Sequence, residues 1–79
     1  MKIGNHNDAA EFAVLDRLID DFANELKAKV RENHLKGRRG WDTPGWEIEA
    51  IKDDLISHVA KNDPRDVAIL AAFWWNRIA

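Results

Sequence analysis

Asp63-Pro-Arg-Asp-Val-Ala-Ile-Leu-Ala-Ala-Phe-Trp-Trp-Asn-Arg-Ile-Ala79 is the stretch whose reading decides the fold. Val67 to Trp75 is nine apolar residues without a break. An Asp-Pro start signal precedes them: Asp63 caps, Pro64 fills the first helical position, and Asp66 has the spacing that closes a capping box. The result is a predicted helix with no polar face, which must be covered on more than one side. Two tryptophans and a phenylalanine, each able to remove about 150 to 250 Å² from water, make this segment the expected centre of the core. Nine apolar residues fall well short of the roughly 20 that span a bilayer, so the run is read as core and no membrane span is expected.

Working back from Asp63, Asn62 is a candidate left-handed terminator, which leaves almost no loop before the last helix. Trp46, Ile48, Ile51, Leu55 and Val59 give an apolar face to a preceding helix. Thr43-Pro44 has the form of its cap and first position, so this helix is expected over about 44 to 61. Gly37 and Gly40 bracket Arg38 and Arg39 in a turn-rich connection over residues 37 to 45. Upstream, Phe12, Leu15, Ile19, Phe22, Leu26 and Val30 follow at steps of three and four, with Val14 and Leu18 widening the stripe. Asp8-Ala-Ala-Glu11 has capping-box spacing, so a long first helix is predicted over about 8 to 35. Residues 1 to 7 show no periodicity and are expected to form a short, loose lead-in.

These elements make an all-α, single-domain three-helix bundle, the last helix over about 64 to 78. A first helix close to 40 Å long exceeds what the remaining chain covers easily. Either the other two helices lie along it in sequence or a second copy shares it in a homodimer.

The 79 residues contain 46% hydrophobic and 33% charged residues, ordinary for a globular domain and too apolar for a disordered one. The absence of cysteine removes disulfides and thiolate metal sites and fits a reducing, cytoplasmic setting. The net charge of −2 hides an uneven distribution. From Asp8 to Glu25 six acids (Asp8, Glu11, Asp16, Asp20, Asp21, Glu25) stand against Arg17 alone. From Lys27 to Arg39 six bases (Lys27, Lys29, Arg31, Lys36, Arg38, Arg39) stand against Glu32 alone. This segregation complements the helix dipole and also makes a bipolar surface suited to a charged partner.

Three constellations are candidates for chemistry. Asp16 with Asp20, and Asp21 with Glu25, are spaced to share one side of the first helix, and Asp53, Asp54, Asp63 and Asp66 gather at the last corner. His6, His34 and His58 lack the three- or four-residue pairing of helical metal sites, and His58 is expected to border the core. In Lys36-Gly-Arg-Arg-Gly-Trp41, arginines between glycines next to an indole suit phosphate gripping with base stacking. The overall acidity weighs against a dedicated nucleic-acid binder. Alternatively, Trp41 and Trp46 simply pin the loop to the core.

From Lys36 to Arg77 the pattern Lys-Gly-Arg-Arg-Gly-Trp-Asp-x-Pro, then Leu-x-x-His-Val-x-Lys-Asn-Asp-Pro-x-Asp-Val-Ala, then an apolar run ending Trp-Asn-Arg, resembles a group of small bacteriophage proteins. Some of these look like degenerate relatives of the all-helical nucleotide pyrophosphohydrolases of the MazG type. That enzyme family holds Mg²⁺ against a nucleoside triphosphate with a Glu-Glu-x-x-Glu and a Glu-x-x-Asp motif. Here Asp63-Pro-Arg-Asp66 stands at the second motif with Asp for Glu, and Asp53-Asp-Leu-Ile-Ser57 at the first, with Ser57 in place of a third carboxylate. Mg²⁺ demands near-ideal octahedral geometry, which shorter side chains and a missing ligand disfavour.

The expected function is therefore that of a phage accessory protein: a non-enzymatic binding module that modulates or inhibits a host protein or nucleoprotein complex, such as a defence or transcription machine. Arg38, Arg39, Trp41 and Trp46 are the expected contact residues, because arginine and tryptophan are enriched at binding hot spots. No cofactor is required on this reading. The alternative is a Mg²⁺-dependent dNTP pyrophosphohydrolase using Asp53, Asp54, Asp63 and Asp66 as ligands, and a second alternative is nucleic-acid binding through the 36–46 loop.

Overall fold

The computed structural model describes residues 7–79, which form three helices and no strand: α1 (Asp8–Leu35), α2 (Ile48–Ala60) and α3 (Pro64–Ile78). None of these helices is long and apolar enough to cross a membrane.

α3 starts where the Asp-Pro signal predicts. The Asp63 carboxylate accepts from the Asp66 N–H at 3.3 Å, and Pro64 occupies the first turn. The reciprocal half of the expected capping box is absent. Asp63 donates its own N–H to the His58 carbonyl at 3.1 Å, and the Asp66 carboxylate turns instead to Lys29 Nζ at 3.0 Å. A charge-assisted bond to an ammonium outcompetes one to a neutral amide. A similar shift occurs at α1, where Asn7, not Asp8, is the cap, its side chain accepting from Ala9 and Ala10.

Both loops leave their helices through the same backbone device. Gly37 (φ 89°) follows α1 and Asn62 (φ 58°) follows α2, each in the left-handed region. Arg38 N–H then donates to the Asn33 carbonyl and Gly37 N–H to that of His34, while Asp63 and Asn62 donate to His58 and Val59. These paired bonds satisfy carbonyls that the helix end leaves open, the Schellman arrangement.

α2 begins at Ile48, four residues later than Thr43-Pro44 predicts, and Glu47 in the cap position makes no side-chain bond. Thr43 closes one turn by donating its N–H and its hydroxyl to the Gly40 carbonyl, at 3.1 and 2.6 Å. It opens a second in which Trp46 N–H donates to the Thr43 carbonyl at 3.1 Å. Pro44 and Gly45 are the two central residues of that second turn, the first of which proline favours because its φ is preset. The proline signal is therefore spent on a turn.

The core is small. Ile51 is fully buried, and Ile69 and Leu70 are nearly so. α2 lies along α3, and α1 reaches α3 but not α2. Only the second half of α1 takes part, through the half-buried Phe22, Leu26, Lys29 and Val30, while every residue from Asp8 to Asp21 is exposed. The radius of gyration, 15.8 Å, accordingly exceeds the roughly 12 Å of a compact chain of this length. Full coverage of α3 is not reached either: Trp75 and Ile78 stay 68% and 64% exposed.

Candidate functional site

The double turn folds back over α3 and builds a cleft of about 1110 Å³ between itself, the end of α1 and the α2–α3 pair. Its aromatic wall is held by Phe73. Trp41 stacks on that ring at 5.3 Å between centroids, and Trp46 meets it edge-on at 5.9 Å. From the end of α3, Arg77 donates to the Thr43 carbonyl and pins the turn in place. Lys52 sits over Trp74 at 5.5 Å, a cation–π contact that ties α2 to α3 nearby.

The rim is basic. Arg31, Arg38 and Arg39 all border the cleft. Arg38 Nη1 donates to the Asn33 side chain at 3.2 Å, which fixes its direction. None of the three arginines has an ion-pair partner among the described residues.

At the opposite end, the α2–α3 corner brings His58, Asp63 and Asp66 together, with one donor atom of each within 4.8 Å of the others. His58 Nδ1 lies 3.6 Å from Asp63 and 3.5 Å from Asp66, hidden from solvent and without a hydrogen-bond partner. Lys29 reaches in from α1, 3.0 Å from Asp66 and 3.8 Å from Asp63. Hydrogen bonding with the Asp66 side chain, then the Asp66 N–H and the charges of Lys29 and His58, hold the Asp63 carboxyl below its ordinary range against the opposing effect of desolvation.

A lowered folded-state value stabilises the fold above the unfolded value of about 3.9 and is lost as pH falls through the folded one. Asp63→Asn keeps a competent cap but removes the charge. Its melting temperature is expected to lie below that of the parent at pH 7, with the gap closing below about pH 4. Equal melting temperatures at pH 7 would show that Asp63 acts through capping alone, and a gap that persists unchanged at lower pH would show that its charge is not the source.

All four residues read as contacts, Arg38, Arg39, Trp41 and Trp46, border the one cleft. The acidic set divides. Asp54 and Asp66 line the cleft and Asp63 stands beside Asp66, but Asp53 is exposed elsewhere on α2. Neither Asp53 nor Asp54 joins the His58 group, the only such grouping of three among the described residues. Asp16, Asp20, Asp21 and Glu25 lie on the exposed face of α1, His34 borders the cleft, and His6 falls outside the described residues. The association of His58 with both aspartates escapes a search for three- and four-residue spacing. Its signal is a histidine five and eight residues before two acids, with a left-handed residue between.

No protein family model, curated protein or solved structure matches the chain.

Proposed function

We propose that the protein is a non-enzymatic binding module, a phage accessory factor that modulates a host protein or nucleoprotein complex through the cleft under the 36–46 loop. One observation carries this reading: Arg38, Arg39, Trp41 and Trp46 share a single cleft whose aromatic wall is set by Phe73. At about 1110 Å³ the cleft lies at the top of the roughly 300 to 1,000 Å³ range of small-molecule pockets and is also wide enough for a longer ligand. Its size suits a segment of polypeptide. The basic rim selects an acidic segment and the indoles take an apolar or aromatic side chain from it. The phage-like pattern from Lys36 to Arg77 supports the viral setting.

Affinity capture from host lysate with parent and variant chains tests the reading. Arg38→Ala with Arg39→Ala is expected to weaken recovery of the partner at least about tenfold and to reduce its salt dependence. Trp41→Ala with Trp46→Ala should weaken it further at constant salt. If the fourfold alanine variant, folded by circular dichroism, recovers the same partner equally well, the cleft is not the contact surface. A gel shift with DNA or RNA that the arginine changes abolish would transfer the cleft to nucleic acid.

A second reading rests on the His58, Asp63 and Asp66 grouping beside the same cleft. Under it these residues hold a divalent ion against a nucleoside triphosphate whose phosphates meet the arginine rim, and Lys29 gives way to the metal. Pyrophosphate release from dNTPs with Mg²⁺ or Mn²⁺, abolished by Asp66→Asn, is the expected result. No release at high protein concentration removes this reading.

A further inference from the structure

The N-terminal half of α1 carries an apolar stripe that the fold does not use. Phe12, Leu15 and Ile19 are 57%, 47% and 63% exposed, and Val14 and Leu18 beside them are more than half exposed. The stripe runs on at the same spacing into Phe22 and Leu26, which are half-buried against the rest of the chain. Such a stripe on a helix faces a core in a folded protein, and here the described residues supply none.

The size of the molecule points the same way. Its accessible surface is 6481 Å², whereas a compact monomer of 9.1 kDa exposes about 4,900 Å². Allowing residues 1–6 the full surface of an unfolded segment still leaves an excess of roughly 800 Å². A stable complex of standard size covers about 800 Å² on each partner.

Charge then selects the partner. The exposed arm is acidic, with Asp8, Glu11, Asp16, Asp20 and Asp21 against Arg17, while the second half of the same helix carries Lys27 and Arg31 exposed and free of internal ion pairs among the described residues, against Glu25 as its one exposed acid without such a pair. Two copies of α1 laid parallel set acid on acid and base on base. Laid antiparallel, they set each acidic half against the basic half of the other, and the twofold axis satisfies both ends at once.

We propose that the protein is a homodimer in which the α1 helices pair antiparallel, the Phe12, Leu15 and Ile19 face of each copy lying against the exposed flank of the second half of α1 of the other, where Lys27 and Arg31 stand. This goes beyond the reading of the cleft and shares one residue with it, Arg31 on the rim, so the changes at Leu15 and Ile19, which lie outside the cleft, separate the two. Sedimentation equilibrium or light scattering of the full chain tests it. The parent is expected at twice 9.1 kDa. Leu15→Glu with Ile19→Glu is expected to give a monomer with helix content retained, because both side chains are exposed within a single copy. Asp16→Lys with Asp20→Lys, and separately Lys27→Glu with Arg31→Glu, should each weaken the dimer at least about tenfold, and the fourfold variant should restore it. A parent that stays monomeric up to its solubility limit overturns the proposal. So does a dimer untouched by the Leu15 and Ile19 changes, or charge variants that fail to recover when combined.

Discussion

Ile51→Ala is expected to lower the stability of the fold by about 2 to 5 kcal/mol, the range for truncating a buried aliphatic side chain. Ile51 is the only large side chain among the described residues with no exposure at all, and it sits in the α2–α3 contact on which the core depends. Natural domains have only about 5 to 15 kcal/mol in total, and a chain of this size with so few buried residues stands toward the low end. At roughly 4 to 8 °C per kcal/mol, the melting temperature should fall by at least about 10 °C. Ile51→Val should cost only about 0.5 to 1.5 kcal/mol. Ile56 is a control on the same helix: it is 64% exposed, and Ile56→Ala should stay within about 0.5 kcal/mol of the parent. Thermal and urea unfolding followed at 222 nm check all three. Equal losses at Ile51 and Ile56 would show that the α2–α3 seam is not the core.

Phe73→Ala should be the second most damaging change, and the one that joins stability to binding. Its ring is the surface on which Trp41 stacks and against which Trp46 stands, so removing it deletes both aromatic pairs. Each such pair contributes about 0.5 to 1.5 kcal/mol beyond area burial, and with the lost packing the total is expected near 3 kcal/mol. The double turn is then held mainly by Arg77 on the Thr43 carbonyl. Near-ultraviolet circular dichroism from the indoles should collapse, tryptophan emission should shift to the red, and partner binding should fall more than it does with either arginine change. Phe73→Leu separates the two effects: it restores much of the volume and little of the stacking geometry. Helix content and stability should recover with leucine while binding remains weak. Full binding by Phe73→Leu would mean that volume alone shapes the cleft.

Much of this fold is legible in short stretches of sequence. The Asp63-Pro64 start and the left-handed Asn62 lie in one local segment, and the conformations they favour agree with the packing around them. The stripe on α1 has one spacing from Phe12 to Leu26, which predicts a helix without reference to anything it touches. Thr43-Pro44 misleads because proline after threonine serves a helix start and a turn equally well. The draw of Trp46 toward Phe73 settles the choice, and Phe73 lies 27 residues from Trp46. Asp66 misleads in the same way. Its spacing from Asp63 describes a capping box, but its carboxylate answers to Lys29 on a helix that no local pattern brings near. The cleft was within reach of composition alone, since arginines and indoles crowd one glycine-bounded loop. The corner beside it needed the tertiary fold.

The corner at Asn62 also bears on the order in which the chain assembles. Lys61 and Asn62 are turn residues, and with Asp63 they carry the chain from α2 into α3. Bringing those two helices together therefore closes a very short loop and costs little chain entropy, whereas docking α1 must also order the connection from Lys36 to Glu47. Contacts of low sequence separation form fastest, so the hairpin of α2 and α3 is the natural nucleus and α1 joins it later, guided by Lys29. The long helix that dominates the outline of the molecule is, in time, its expected last addition.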